Sequence, residues 1–142
     1  MSIIQDSLKP EIETFLAGLD RVVTVDFYPH PESPASAPTK DLIEELHQLA
    51  PFISPVYHSP EESSREIKSP DVVEGPITTL SVDGQFTGIR YLGFPGGHEF
   101  GALLADLRDL SHGEPVQLSP ETVHWLQGLT RPLHLEVFTT PT

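Results

Sequence analysis

The chain of 142 residues contains no cysteine. That excludes disulfide staples, thiolate metal sites, cysteine nucleophiles and any thiol–disulfide exchange by its own side chains. Positive charge is scarce as well. Eight Lys and Arg stand against 21 Asp and Glu, a formal net charge of −13 with histidines neutral. Binding to phosphate backbones or anionic headgroups draws on clustered basic residues, so neither nucleic acid nor a membrane surface is an expected partner. The acidity reads as a solubilising surface. No apolar run is long enough to span a bilayer, and Met1-Ser2-Ile3-Ile4-Gln5-Asp6 lacks the basic and apolar regions of a signal peptide. A cytoplasmic location is the resulting expectation.

Several catalytic signatures are missing too. There is no G-x-S-x-G elbow, no phosphate-binding G-x-x-x-x-G-K-[ST] loop and no H-E-x-x-H. Among the seven histidines, His30, His47, His58, His112, His124 and His134 never fall four apart on one predicted helix. No metal and no cofactor is expected. Glu61, Glu62 and Glu66 read as a solvated face.

What remains is a pattern of short elements. Ile4, Leu8, Ile12, Phe15, Leu16 and Leu19 recur at helical spacing, with Asp6 or Ser7 as the cap and Pro10 tolerated in the first turn. Arg21 to Phe27 is β-branched and reads as a strand. Four prolines between Tyr28 and Pro38 predict an irregular loop. A second helix runs from about Thr39 to Leu49, then a short strand from Phe52 to Tyr57, where Pro55 predicts an edge. Residues 59–75 are polar, with one helical turn expected around Glu61 to Ile67. Ile77 to Val82 and Phe86 to Leu92 flank Asp83-Gly84, a favoured hairpin turn.

After the loop Gly93 to Gly97, a third helix carries Phe100, Leu103, Leu104, Leu107 and Leu110 on one side. Ser119 caps a fourth, with Pro120 at its first position and Val123, Leu126 and Leu129 as its apolar side. Leu133 to Phe138 is read as one further strand. Phe15, Phe52, Phe86, Phe100 and Trp125 are expected to supply large burial units, and Val22, Val23 and Val25 to lie in the core. Strand–helix–strand, hairpin and covering helix together predict an α/β fold: a thioredoxin-like three-layer sandwich on a mixed four-stranded sheet, plus a C-terminal helix and an extra strand.

The stretch Gly88-Ile89-Arg90-Tyr91-Leu92-Gly93-Phe94-Pro95-Gly96-Gly97-His98-Glu99-Phe100 resembles a family pattern, G-x-R-[YF]-x-G-x-P-x-G-H-E-F. It is that of the N-terminal thioredoxin/glutaredoxin-like unit of protein disulfide oxidoreductases. The chain is similar also to the N-terminal domain of the flavoprotein subunit of alkyl hydroperoxide reductase. Leu42 to Leu46 resembles the helix behind the family's first redox motif. Gly75-Pro76-Ile77-Thr78 sits where such folds carry a cis-proline beside a peptide groove, and Val137 to Thr142 resembles the strand leading into a second unit.

The resemblance implies structural roles for Gly88, Arg90, Gly93, Pro95, Gly97, His98, Glu99 and Phe100. It implies a unit over residues 1–130, with 131–142 beginning a second one. The family's first C-x-x-C falls on Ser33-Pro34-Ala35-Ser36, so hydroxyls occupy both sulfur positions. A serine hydroxyl stays protonated near neutral pH and forms no sulfur–sulfur bond, which predicts a redox-silent scaffold and no enzyme in this chain alone.

The rival reading is a non-catalytic module that holds a client peptide or a peroxiredoxin in the groove beside Pro76. The plainer reading of Pro76 is that it sets the entry to the hairpin. Candidate partners are a second thioredoxin-like unit, a peroxiredoxin or client protein, and a second copy joined as a homodimer through Leu133 to Phe138.

Overall fold

Alternation in Val23-Thr24-Val25-Asp26-Phe27 points three apolar side chains to one side of an extended chain, and all three are buried. That strand organises the molecule. The structure, a computed structural model, describes residues 2–62, 75–114 and 117–139. In chain order the elements are α1 (Lys9–Phe15), β1 (Val23–Tyr28), α2 (Ser36–Leu49), β2 (Ile53–Tyr57), β3 (Ile77–Val82), β4 (Gln85–Leu92), α3 (His98–His112) and α4 (Pro120–Gln127).

The sheet runs β2-β1-β3-β4. β2 lies parallel to β1, which requires the crossover that α2 provides. β3 pairs antiparallel with both β1 and β4. Asp83 and Gly84 turn the hairpin with φ of 52° and 74°, the left-handed pair that matches strand twist. Pro55 does lie on an edge strand, where its missing N–H interrupts no interior ladder.

One core joins the buried face of the sheet to three helices. Val23, Val25, Phe27, Leu80 and Val82 meet Leu42, Ile43 and Leu46 of α2, Leu103 and Leu107 of α3, and Ile12 of α1. The chain's start is tied to α2 by Glu45, whose carboxylate accepts from the Ile3 and Ile4 N–H groups and the Ser2 hydroxyl. Burial opposes that charge, but these three bonds outweigh it and hold the Glu45 carboxyl below the usual glutamate range.

Several expectations need correction. α2 begins at Ser36, inside the proline-rich stretch, because Pro38 falls in the first turn, where its missing N–H is harmless. α1 is shorter than its apolar stripe. It starts after Leu8, and neither Asp6 nor Ser7 caps it; the Asp6 carboxylate instead meets Lys9 at 2.7 Å. Val22 is half exposed because it lies one residue before β1 and outside its alternation.

Of the large aromatics, Phe52 is buried, whereas Phe15, Phe86 and Trp125 are exposed. Phe15 and Phe86 lie under the guanidinium groups of Arg108 and Arg90, 4.8 and 5.1 Å from their centroids. Leu133 to Phe138 forms no strand in this chain, because no ladder hydrogen bond joins it to another described segment. Extended backbone becomes a strand only by pairing.

Helical residues do follow Ser59, at Pro60 to Glu62, and a reciprocal capping box starts them. Ser59 N–H donates to the Glu62 carboxylate at 2.7 Å, and Glu62 N–H donates to the Ser59 hydroxyl at 3.2 Å. The rest of the turn expected to reach Ile67 lies outside the described residues. No described helix is long and apolar enough to cross a membrane.

Candidate functional site

The candidate site lies where β1 delivers the chain to the N-terminus of α2. Ser33-Pro34-Ala35-Ser36 folds into a tight turn there, its Ser36 N–H bonded to the Ser33 carbonyl at 3.2 Å. Ser36 is a clamp. Its hydroxyl donates to the His30 carbonyl at 2.8 Å and accepts from the His30 N–H at 2.9 Å, closing the loop back on itself. The Ser33 hydroxyl accepts from Ala35 N–H at 3.3 Å. Both serines are half-buried, and among the described residues neither hydroxyl is paired with a side-chain base.

Across from this turn comes the entry to β3. A Cβ on Gly75 would stand 3.3 Å from Gly93 Cα and 3.8 Å from the Ser33 hydroxyl oxygen. Ser33, Gly75 and Gly93, far apart in sequence, therefore meet at one point, and a side chain on Gly75 would crowd the Gly93 backbone. The Pro76 carbonyl accepts from Gly93 N–H at 2.8 Å. The Gly75–Pro76 bond is trans, as are all described peptide bonds, so the expected cis-proline is corrected. Pro76 enters as an extended lead-in whose carbonyl continues the β3–β4 pairing. Pro76, Ile77 and Thr78 are buried, which leaves Gly75 alone at the surface of the expected groove.

The motif on β4 and α3 is explained by backbone demands. Thr87, Gly88 and Ile89 stand opposite Leu80 alone, a bulge in which Gly88 takes φ 90° and the Thr87 hydroxyl donates to the Leu80 carbonyl at 2.7 Å. Gly93 (φ 86°) and Gly97 (φ 58°) permit the turns on either side of buried Pro95. Glu99 sits in the first turn of α3, where its charge complements the free N–H groups, and accepts from the Thr139 hydroxyl at 2.6 Å. His98 and Arg90 are exposed, and Phe100 packs against the core. Gly97 and Phe100 line a shallow second cavity of about 200 Å³ together with Ile4, Leu8 and Phe94.

A cluster that sequence reasoning missed lies on the other side of Ser36. The His58 imidazole meets Asp26 at 2.8 Å and stacks on Tyr28, with centroids 4.2 Å apart and planes 8° from parallel. Glu62 stands 3.8 Å from its other nitrogen. The pairing depends on the parallel register of β1 and β2, which sets Phe27 beside Tyr57 and so brings the next residue over Asp26. An acid in an alternating strand and a histidine just past the next strand were the available signals. Phe27, Pro29, Ser36, Ala37, Lys40, Tyr57 and His58 line an open cavity of about 280 Å³ here.

Tyr57 is held neutral: burial, and then its bond to Glu44, raise its ionisation far above the usual tyrosine range. Ser36 shares the cavity with His58, but its hydroxyl is committed to the His30 backbone, so the two do not form a nucleophile and base. Among the described residues no group of three His, Asp or Glu side chains is placed to hold a metal ion.

No known family profile matches the chain. It is 25% identical over 136 residues to an alkyl hydroperoxide reductase subunit from Xanthomonas campestris pv. phaseoli, an alignment that takes in 96% of this chain and 23% of that protein. Among solved structures it is similar to a protein disulfide oxidoreductase from Aeropyrum pernix, with a TM-score of 0.71 at 20% identity over 88% of this chain and 55% of that one. The AhpF subunit of the alkylhydroperoxide reductase of Enterococcus faecalis superposes with a TM-score of 0.67 at 20% identity, over 80% of this chain and 56% of that one.

The chain thus spans about a quarter of the curated relative and little more than half of the solved chains. These likenesses agree with the resemblance carried by Gly88 to Phe100 and establish a thioredoxin-like α/β fold on a mixed four-stranded sheet.

Proposed function

We propose that this chain is a redox-silent thioredoxin-like scaffold, equivalent to the N-terminal unit of a disulfide oxidoreductase whose second unit carries C-P-x-C. One observation carries the reading. At the N-terminus of α2, where this fold would lower the pKa of an attacking thiol, the turn presents Ser33 and Ser36, and the chain has no sulfur nucleophile anywhere else. The rest of the scaffold is intact, with Gly75 and Gly93 closing over the turn and Ser36 bracing it. Such a body positions a partner and passes no electrons.

The rival reading, a module that holds a client peptide or a peroxiredoxin without reacting, finds support in a different place from the one expected. The residues beside Pro76 are buried, whereas the cavity between Ser36, Lys40 and Tyr57 is open and mostly apolar.

A double variant tests the scaffold reading. The Ser33–Ser36 turn sets its two ends within the Cα separation a disulfide needs. Ser33→Cys with Ser36→Cys is expected to form an intramolecular disulfide and to gain dithiol-dependent insulin reduction that the parent chain lacks. A double variant that folds but neither closes the disulfide nor gains turnover would show that α2 does not begin at a silenced redox position, and the reading would fall.

A further inference from the structure

Beyond the C-terminal ends of the parallel strands β1 and β2 lies the open cavity of about 280 Å³ that the first turn of α2 borders. Crevices at that end of the strands are where open α/β sheets take small ligands. What the polar groups of the lining still have free decides which ligand fits. The Ser36 hydroxyl both donates to and accepts from the His30 backbone. His58 is held by Asp26, and the Tyr57 hydroxyl donates to Glu44. Lys40 is the exception. Its ammonium lies over the Tyr57 ring, 5.1 Å from the centroid, and forms no ion pair among the described residues. It therefore offers donors and a positive charge, and no acceptor.

We propose that the cavity binds a small monocarboxylic acid with an apolar body, of the size of an arylalkanoate. Its carboxylate pairs with Lys40, and its ring packs on Phe27, Pro29 and Ala37.

Charge selects that class. A cation would be repelled by Lys40, and a neutral apolar molecule would leave the ammonium donors unused, whereas a carboxylate takes charge-assisted hydrogen bonds from them. α2 has no acidic residue in its first turn, so the positive end of the helix adds to Lys40. The neighbouring carboxylates are already engaged: Asp26 by His58, Glu44 by Tyr57 and Glu62 by the Ser59 N–H. Asp41, beside Lys40 on the helix, is exposed, where water screens it.

Size selects within the class. An apolar cavity of roughly 150 Å³ accepts one benzene ring. The larger volume here adds room for a short methylene spacer and a carboxylate, and not for a length of peptide. The inference is independent of the scaffold reading, and it gives the cavity a different occupant from the client peptide of the rival one.

The test is a titration of the full chain with phenylpropionate, followed by amide NMR. Saturable shifts are expected at Ala37, Lys40 and Tyr57. Phenylpropionamide, the same shape without the charge, should bind about tenfold more weakly, and phenethylammonium should not bind. Lys40→Gln should weaken the acid about tenfold and leave the amide unchanged, whereas Lys40→Arg keeps the acid bound. No saturable shift, equal affinity for acid and amide, or shifts centred instead on the cavity beside Phe94 and Phe100 would overturn the proposal. An acetylated tripeptide ending in Phe, as free acid and as C-terminal amide, separates the two occupants. If either form binds at these residues more tightly than phenylpropionate, the small acid falls and the rival reading gains the cavity.

Discussion

Helices α3 and α4 begin from the same kind of sequence and end in opposite situations. Each has an acidic residue in its first turn, a histidine in its last turn and apolar residues at helical spacing. α3 lays Leu103 and Leu107 into the core, donates the Ser111 hydroxyl to the Arg21 carbonyl at 2.7 Å, and ends on Gly113 in the left-handed conformation. α4 has the better N-cap, with Ser119 accepting from Thr122 N–H, yet buries nothing. An amphipathic stripe thus states that a helix needs an apolar partner; it does not say whether that partner lies in the same chain. Local capping and tertiary packing are separate sources of stability, and here they fall on different helices.

Mutating the two stripes gives the strongest contrast. Leu107→Ala opens a cavity between α3 and β1 and should cost 2–5 kcal/mol, roughly, in urea unfolding. Leu126→Ala should stay within about 0.5 kcal/mol in the same measurement. Equal losses would mean that α4 is packed as α3 is, and the distinction would collapse.

The tether between α3 and β4 offers a smaller effect with a pH signature. Tyr91 donates its phenol to Asp106, and burial followed by that bond raises its ionisation far above the usual range. The folded state therefore favours the neutral phenol. Its contribution is complete below the unfolded value, about 10, and is lost as pH rises toward the higher folded one. Tyr91→Phe should cost about 1 kcal/mol near neutral pH. It should also flatten the alkaline fall in stability, followed by thermal melts from pH 8 to 11. An unchanged alkaline limb would remove Tyr91 from the account.

The smallest global effect belongs to the cap. Ser119→Ala should destabilise α4 locally by about 1 kcal/mol. Amide exchange would then speed up over Val123 to Gly128, while the unfolding midpoint set by α3 and the sheet stays in place. A matching drop in the global midpoint would show that α4 and the core unfold as one unit.

Strands and hairpin were legible because period-two alternation and a left-handed turn pair are local signals: Val23 to Phe27 and Asp83-Gly84 say what they do without reference to anything distant. The start of α2 was not, since a proline-rich run reads as loop until the position of Pro38 within the first turn is known. The serine turn was visible as residues lacking sulfur. Its bracing by His30 and its closure under Gly75 and Gly93 were not, because those contacts depend on how the loop folds and on segments tens of residues away. The Asp26–His58 pair was hidden for the same reason, since it exists only once β1 and β2 adopt their parallel register.

By itself the order of residues determined what chemistry is absent, which segments extend or coil, and that the arm ending in Leu133 to Phe138 alternates like a strand. Those follow from side-chain composition and from short-range periodicity, which any stretch of chain carries with it. The tertiary structure alone decided which apolar stripe is buried and which faces water, that Gly75–Pro76 is trans, and that Ser36 serves as a clamp. Each of these depends on what another segment places alongside, and the packing of the sheet against three helices sets that neighbourhood for every residue it reaches.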